Sequence, residues 1–209
     1  SGKRDRALIT HTGAVATLTS DAVDEALMKR HDHLHLTSYY LQKALQPSFA
    51  DIFRRAKLLG LTTSFDPNSD PNKKWNRSID SVLRQTDVLL VNEREASQLT
   101  RTTTPKAALK ALGTKVQCAV IKRGARGAMA IQDRAIASDS GFKVTALDTT
   151  GAGDSFDAGF MSAYLRKAPL TECVRIGNAC GALSATRTGG TAGQPTEAEL
   201  QTFLGSKRA

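Results

Sequence analysis

The chain has 209 residues, of which 40% are hydrophobic and 23% charged, and a formal net charge of +9. No apolar run is long enough to cross a bilayer, and the first residues do not resemble a secretion signal. Lysine and arginine are scattered, without a run of five or an aromatic RNA-binding motif. We therefore expect one soluble globular domain over residues 1–209, with no membrane or nucleic-acid partner.

The three cysteines, Cys118, Cys173 and Cys180, have neither CxxC spacing nor an even count. This pattern is typical of reduced thiols in a cytoplasmic protein, and no zinc-binding spacing is apparent.

Apolar segments with strand and helix periodicity alternate along the chain. The predicted strands cover Ala7–Thr12, Leu34–Thr37, Leu61–Phe65, Asp87–Val91, Val116–Ile121, Ala128–Ile131 and Val144–Leu147. The predicted helices cover Asp21–Arg30 with Ser20 as N-cap, Ser48–Leu59, Trp75–Gln85, Pro105–Leu112, a segment containing Phe156–Tyr164, Glu172–Thr186 and Thr196–Leu204. Alternation of this kind predicts an α/β fold with a mostly parallel sheet and helices on both faces, whose ligands bind at the carboxyl edge.

Polar residues follow several of these strands. Asp66-Pro67-Asn68 is a turn that places a carboxylate and an amide at one strand end, and Asn92-Glu93-Arg94-Glu95 follows the strand Asp87–Val91. The second group has a simpler explanation, since acidic residues are common at helix N-termini.

The stretch Val144–Tyr164 concentrates the chemistry. Gly151 and Gly153 allow the amides of residues 151–154 to converge at a helix start, where anions bind. A carboxylate beside an anion pocket is a poor anion ligand, so Asp154 is better suited to accept a proton from an alcohol that attacks a bound phosphorus. For an isolated G-x-G-D, the glycines could equally shape a turn that Asp154 caps.

The full string D-T-T-G-A-G-D-S-F-D-A-G-F resembles the C-terminal signature of the ribokinase-like carbohydrate kinases, the phosphofructokinase B family. The resemblance implies a three-layer α/β/α fold and ATP-dependent phosphorylation of a primary hydroxyl of a small sugar, with Mg2+. Asp154 would be the catalytic base, and the amides of Gly151, Ala152, Gly153 and Asp154 the anion hole.

The same resemblance assigns nucleotide contacts. Asn92 and Glu95 match an N-x-x-E that holds magnesium and phosphate through water. Lys122, Gly124 and Gly127 match a loop along the ATP phosphates and ribose, although G-x-x-G alone indicates only a hairpin. Asn178 matches an adenine-site position in a helix whose small residues could also serve helix packing.

Two further groups follow from the resemblance. A monovalent cation such as K+ would bind between the loop 188–193 and the segment carrying Asp148 and Thr150, and the carbonyls of Ser184, Arg187 and Gly189 would complete its site. Ser38, Tyr39 and Asp66 are the residues placed near the sugar, and packing explains Tyr39 equally well.

The resemblance covers essentially the whole chain but only the latter two thirds of a usual family member. The initial strands and the lid over the sugar do not precede Ala7, and Ser1–Thr12 looks like the strand that returns from the lid. We therefore expect a piece of a longer kinase, whose activity alone is doubtful and whose homodimer, if one forms, uses the lid. Two alternatives stay open: a nucleoside kinase of the same family, and a non-catalytic nucleotide-binding remnant.

Overall fold

The computed structural model describes residues 11–70 and 78–206. The chain divides into two compact units, Ser1–Gln85 and Thr86–Ala209. Most of the predicted strand Ala7–Thr12 lies outside the described residues, as does the beginning of the predicted helix Trp75–Gln85.

The first unit contains two parallel strands, in register from His33 opposite Thr62 to Thr37 opposite Asp66. Its strands are β1 (His33–Thr37) and β2 (Thr62–Asp66), and its helices are α1 (Ala14–Thr17), α2 (Glu25–Met28), α3 (Phe49–Leu58) and α4 (Ser78–Leu83). As predicted, α3 is amphipathic and ends just before Gly60, whose φ of +87° is a left-handed conformation that favours glycine.

The predicted single helix Asp21–Arg30 with Ser20 as N-cap is wrong. A short 3-10 turn covers Ser20–Ala22, and Val23 and Asp24 then adopt extended backbone angles. The Asp24 side chain accepts a hydrogen bond of 2.8 Å from the amide of Ala26, so that a separate short helix begins there.

The second unit contains four strands in the order β3-β4-β5-β6. They are β3 (Val88–Asn92), β4 (Cys118–Lys122), β5 (Ala128–Gln132) and β6 (Ala135–Asp139). The helices are α5 (Glu93–Thr100), α6 (Pro105–Leu112), α7 (Ala152–Leu165), α8 (Leu170–Ser184) and α9 (Glu197–Ser206). Strands β3 and β4 are parallel, whereas β4, β5 and β6 run antiparallel in succession.

The predicted strand Val144–Leu147 is wrong. The last strand before α7 is instead β6, which the sequence did not predict. Only Asp133 and Arg134, both with positive φ, connect β5 to β6, which is the geometry of a tight hairpin. Leu147 is 68% exposed, and its amide donates to the carbonyl of Ala185 near the end of α8 rather than to a neighbouring strand.

The sheet of the second unit is covered on both faces. Alternate residues such as Val88, Leu90 and Val120 pack with α7, α8 and α9 in one apolar cluster. The residues between them, such as Leu89 and Ile121, are equally buried on the side of α5 and α6. This alternation follows from the two-residue period of a strand and places the carboxyl ends of β3 and β4 between two helical layers.

All three cysteines are buried and unpaired with one another. Burial raises the pKa of the Cys118 thiol to about 12 and that of Cys180 to about 11. None of the helices over residues 11–70 and 78–206 is long and apolar enough to cross a membrane.

Candidate active site

The turn before α7 has the geometry of an anion site. Gly151, with a φ of +75°, precedes the helix and provides no side-chain cap, and the amide of Ala152 donates to the carbonyl of Thr149 at 3.3 Å. The amides of Gly153 and Asp154 lie in the first turn, where a helix has no carbonyl of its own to offer them. Their N–H dipoles make this end positive.

Asp154 is exposed at this turn. Within residues 11–70 and 78–206, its carboxylate has no hydrogen-bond or ion-pair partner, so Asp154 does not cap α7. The arrangement offers amide donors and an unengaged proton acceptor in a single turn.

Gly151 also contacts the loop after α8. A Cβ built on Gly151 would lie 2.2 Å from the carbonyl oxygen of Gly190, so only glycine allows this approach. The segment of the predicted cation site is tied to the same loop, because the Asp148 carboxylate accepts hydrogen bonds of 2.9 Å from the amides of Thr150 and Gly189.

The other two residues of the predicted cation site lie at the end of α8 and in the loop that follows it. Ser184 is fully buried, and among the described residues its hydroxyl has no partner. The Arg187 side chain binds Glu199 at 2.7 Å, and this guanidinium, with hydrogen bonds from Thr196, lowers the pKa of Glu199 to about 2.

Asn92 and Glu95 form a reciprocal capping box at the start of α5. The Asn92 side chain accepts from the amide of Glu95 and the Glu95 carboxylate accepts from the amide of Asn92, both at 2.9 Å. Glu95 is only 3% exposed. The N-x-x-E pattern therefore has a structural role of its own in addition to any role toward a metal.

We expect Asn92→Ala to cost about 1 kcal/mol of unfolding free energy, because it removes the cap of α5. Asn92→Asp keeps a capping oxygen and should leave stability nearly unchanged. If Asn92 also holds magnesium-bound water, Asn92→Ala should raise the magnesium concentration needed for half-maximal rate, while the sugar KM stays constant. If the magnesium dependence of Asn92→Ala is unchanged, Asn92 only caps α5 and does not hold magnesium-bound water.

The predicted nucleotide loop joins β4 to β5. Gly124–Arg126 forms a 3-10 turn, and the carbonyl of Gly127 accepts a 2.8 Å hydrogen bond from the amide of Arg123. Gly124 and Gly127 both have positive φ, but a Cβ on Gly127 would lie 2.0 Å from the carbonyl oxygen of Asp139, whereas Gly124 faces open space.

Asp139 connects this loop to the predicted adenine-site residue. Its carboxylate accepts from the side-chain amide of Asn178 at 2.6 Å and from the amide of Gly141 at 2.8 Å. Gly127, Gly141 and Asn178 are thereby brought together. Sequence reasoning missed Asp139 and Gly141, although D-S-G after a strand is a turn pattern that could have identified them.

Lys122, at the end of β4, forms an ion pair with Asp157 of α7. Its Nζ lies 2.9 Å from both carboxylate oxygens, and the two side chains are 13% and 6% exposed. Sequence reasoning did not single out Asp157, because nothing in the sequence indicates this tertiary pairing.

Glu93 links α5 to the nucleotide loop through an ion pair with Arg126. Three other contacts described above join further parts of the second unit: Lys122 with Asp157, Gly127 with Asp139, and Gly151 with Gly190. The residues predicted to bind magnesium, nucleotide and the transferred phosphoryl group thus belong to one network around the loops that follow β3 and β4.

The residues predicted near the sugar belong to the first unit. The amide of Ser38 donates to the carbonyl of Asp66 at 3.1 Å, and Asn68 donates to the Asp66 carboxylate through its amide and to the Thr37 hydroxyl through its side chain. Ser38 and Asp66 therefore lie together at the carboxyl ends of β1 and β2.

Tyr39 is a packing residue in this structure. It is 1% exposed, and its ring makes edge contacts with Phe49 and Phe65. Its hydroxyl lies 2.9 Å from that of Ser78, and burial raises its pKa.

Comparison with known proteins places these features in a family. Residues 1–197 match the pfkB family carbohydrate kinases. The chain is 32% identical to an ATP-dependent ribose-1-phosphate kinase of Halopiger xanaduensis, with 96% of this chain and 67% of that protein covered. It is 29% identical to a fructokinase of Vibrio alginolyticus, with 87% and 64% covered.

Among solved structures, a protein assigned as ribokinase II of E. coli, in complex with ATP and Mg2+, superposes with a TM-score of 0.82 at 27% identity. The alignment covers 91% of this chain and 64% of that one. The predicted ribokinase-like α/β fold is confirmed, and the chain spans about two thirds of the length of its relatives. The chain belongs to the pfkB family of carbohydrate kinases.

Proposed function

We propose that the protein to which this chain belongs transfers the γ-phosphoryl group of ATP to a primary hydroxyl of a small sugar. The observation that carries the proposal is the turn before α7, where amide donors occur together with the exposed carboxylate of Asp154, which has no partner among the residues that the structure describes. If the turn served only to cap the helix, we would expect the Asp154 carboxylate to accept a hydrogen bond from one of the amides of the turn.

In this reaction, the acceptor oxygen attacks the γ-phosphorus and the bond from that phosphorus to the bridging oxygen of ADP breaks. The amides of residues 151–154 stabilise negative charge on the transferring group. Asp154 orients the hydroxyl and receives its proton. Because the transition state is loose and the proton leaves late, orientation matters more than the basicity of Asp154.

The proposed ATP contacts are Gly124, Gly127 and Asn178, and we leave Lys122 out because its ammonium is bound to both carboxylate oxygens of Asp157. Support comes from the backbone approach at Gly127 and from the hydrogen bond that fixes the Asn178 amide through Asp139. The exposed Gly124 turn leaves backbone groups accessible to a ligand.

Asn92 and Glu95 would hold Mg2+ through water, and the ion would neutralise phosphate charge. Support for an ion here comes from Glu93, next to them, which has a buried carboxylate oxygen without a partner among the described residues. A monovalent cation would bind near Asp148 and Thr150 and the carbonyls of Ser184, Arg187 and Gly189. Support comes from the buried Ser184 hydroxyl, which has no partner among the described residues.

Ser38 and Asp66 are the proposed sugar contacts, and we leave Tyr39 out because its ring and hydroxyl are used in packing. The names of the relatives, a ribose-1-phosphate kinase and a fructokinase, favour a sugar acceptor over a nucleoside. We infer a cytoplasmic location, where ATP is available.

The proposal is tested with the full-length protein by measuring ADP release with Mg-ATP and a panel of ribose, ribose 1-phosphate, fructose and adenosine. We expect saturable, acceptor-dependent ADP release with at least one sugar. ATP binding in calorimetry without turnover on any acceptor would favour a non-catalytic nucleotide-binding protein, and turnover with adenosine alone would favour a nucleoside kinase.

A further inference from the structure

Lys122 and Asp157 form a largely buried ion pair that connects a strand end to the catalytic helix. Lys122 is the last residue of β4, and Asp157 lies one helical turn after Asp154 on α7. The ammonium contacts both carboxylate oxygens at 2.9 Å. Such a charge-assisted contact fixes the distance between the two elements at this point.

The ammonium also reaches the first turn of α7. A Cβ built on Gly153 would lie 3.7 Å from Lys122 Nζ, so the cation sits beside the backbone that carries the proposed anion hole. A positive charge next to a positive helix end is unfavourable by itself, and Asp157 offsets it. The pair therefore holds a cation where the helix alone would repel one.

We propose that Lys122 and Asp157 are a positioning pair, which fixes the first turn of α7 so that Asp154 and the amides of Gly153 and Asp154 face the transferring phosphoryl group. This role rests on the proposed kinase function. It differs from direct phosphate binding by Lys122, because the ammonium acts through Asp157.

The two roles give opposite results for Asp157→Asn. If Lys122 binds phosphate directly, removing Asp157 releases the ammonium toward the nucleotide, and kcat stays constant or rises. If the pair positions the turn, Lys122→Met and Asp157→Asn each lower kcat by about 10- to 100-fold, the effect expected when catalytic groups shift by around 1 Å. The KM for ATP should change by less than about threefold, because the donors that bind it remain.

The double variant Lys122→Met/Asp157→Leu separates positioning from mere stability. Replacing a buried ion pair with apolar side chains is often neutral for stability, whereas removing one partner leaves an uncompensated buried charge. We therefore expect the melting temperature to be lower in both single variants and to recover in the double variant. Turnover should not recover in the double variant, because the apolar pair no longer fixes the first turn of α7.

Hydrogen exchange of the peptide covering residues 150–160 gives a readout independent of turnover. The amide of Ser155 is bonded to the carbonyl of Gly151 at 2.9 Å, and its exchange should accelerate about tenfold in the single variants and in the stable double variant. Asp51→Asn, which breaks the exposed pair of Asp51 with Arg54, is the matched control and should change neither readout.

Two results would overturn the positioning role: full recovery of kcat and of exchange protection in the double variant, or unchanged kcat and exchange in Asp157→Asn. If the wild-type protein shows no kinase turnover but hydrogen exchange still accelerates in both single variants, the kinase function would be refuted. The role of the ion pair in positioning the turn would then still stand.

Discussion

Asp154→Asn is expected to lower phosphoryl transfer by roughly three or more orders of magnitude, because the neutral carboxamide cannot take up the proton of the sugar hydroxyl and holds that hydroxyl more weakly than a carboxylate does. Nucleotide affinity should be retained, since the backbone donors of residues 151–154 are unchanged. Steady-state kinetics and calorimetry with a non-hydrolysable ATP analogue measure the two effects separately.

Glu172→Gln is the matched control for this substitution. Glu172 is an exposed carboxylate in the first turn of α8, a helix end that carries no part of the proposed site. We expect it to leave kcat unchanged. Turnover of Asp154→Asn within tenfold of wild type would remove Asp154 from the chemistry.

Gly127→Ala should strongly destabilise the second unit, whereas Gly124→Ala should be mild. Both substitutions force an alanine into a positive-φ conformation, which costs about 1–2 kcal/mol at each position. Only at Gly127 would the methyl group also clash with the carbonyl of Asp139, at 2.0 Å. We therefore expect Gly127→Ala to lose about 3 kcal/mol or more of unfolding free energy.

Denaturant unfolding of the two variants measures this difference. Because Asp139 also holds Asn178, we expect Gly127→Ala to weaken nucleotide binding beyond its effect on stability. Equal stability of the two alanine variants would show that the loop relaxes around the added methyl group and that the close approach to β6 is not required.

Apolar patterns predicted most of the elements of the second unit, because β3 and β4 are short apolar runs buried on both faces and α6 buries one regular face. Strand β6 escaped prediction because most of its residues are exposed and carry no apolar period. Val144–Leu147 shows the reverse error: its apolar residues have strand character, but the chain bonds to the end of α8 instead of a neighbouring strand.

The signature predicted the conformation of the turn at Gly151, whose φ of +75° favours glycine, whereas Gly153 lies within α7 and has no positive φ. Tertiary partners were beyond sequence reasoning: the pairing of Lys122 with Asp157 depends on how β4 and α7 pack. The motif N-x-x-E is ambiguous for a different reason. The same two side chains that would hold a metal also satisfy the helix cap, so no spacing argument separates the two roles.

Phosphorus NMR of the reaction of the full-length protein with Mg-ATP and its best sugar tests the proposed phosphoryl transfer most directly. We expect a phosphomonoester signal of a sugar phosphate that grows in equal amount with ADP and is absent for Asp154→Asn. Formation of ADP with inorganic phosphate alone, or an equal sugar phosphate signal from Asp154→Asn, would contradict transfer by the turn before α7.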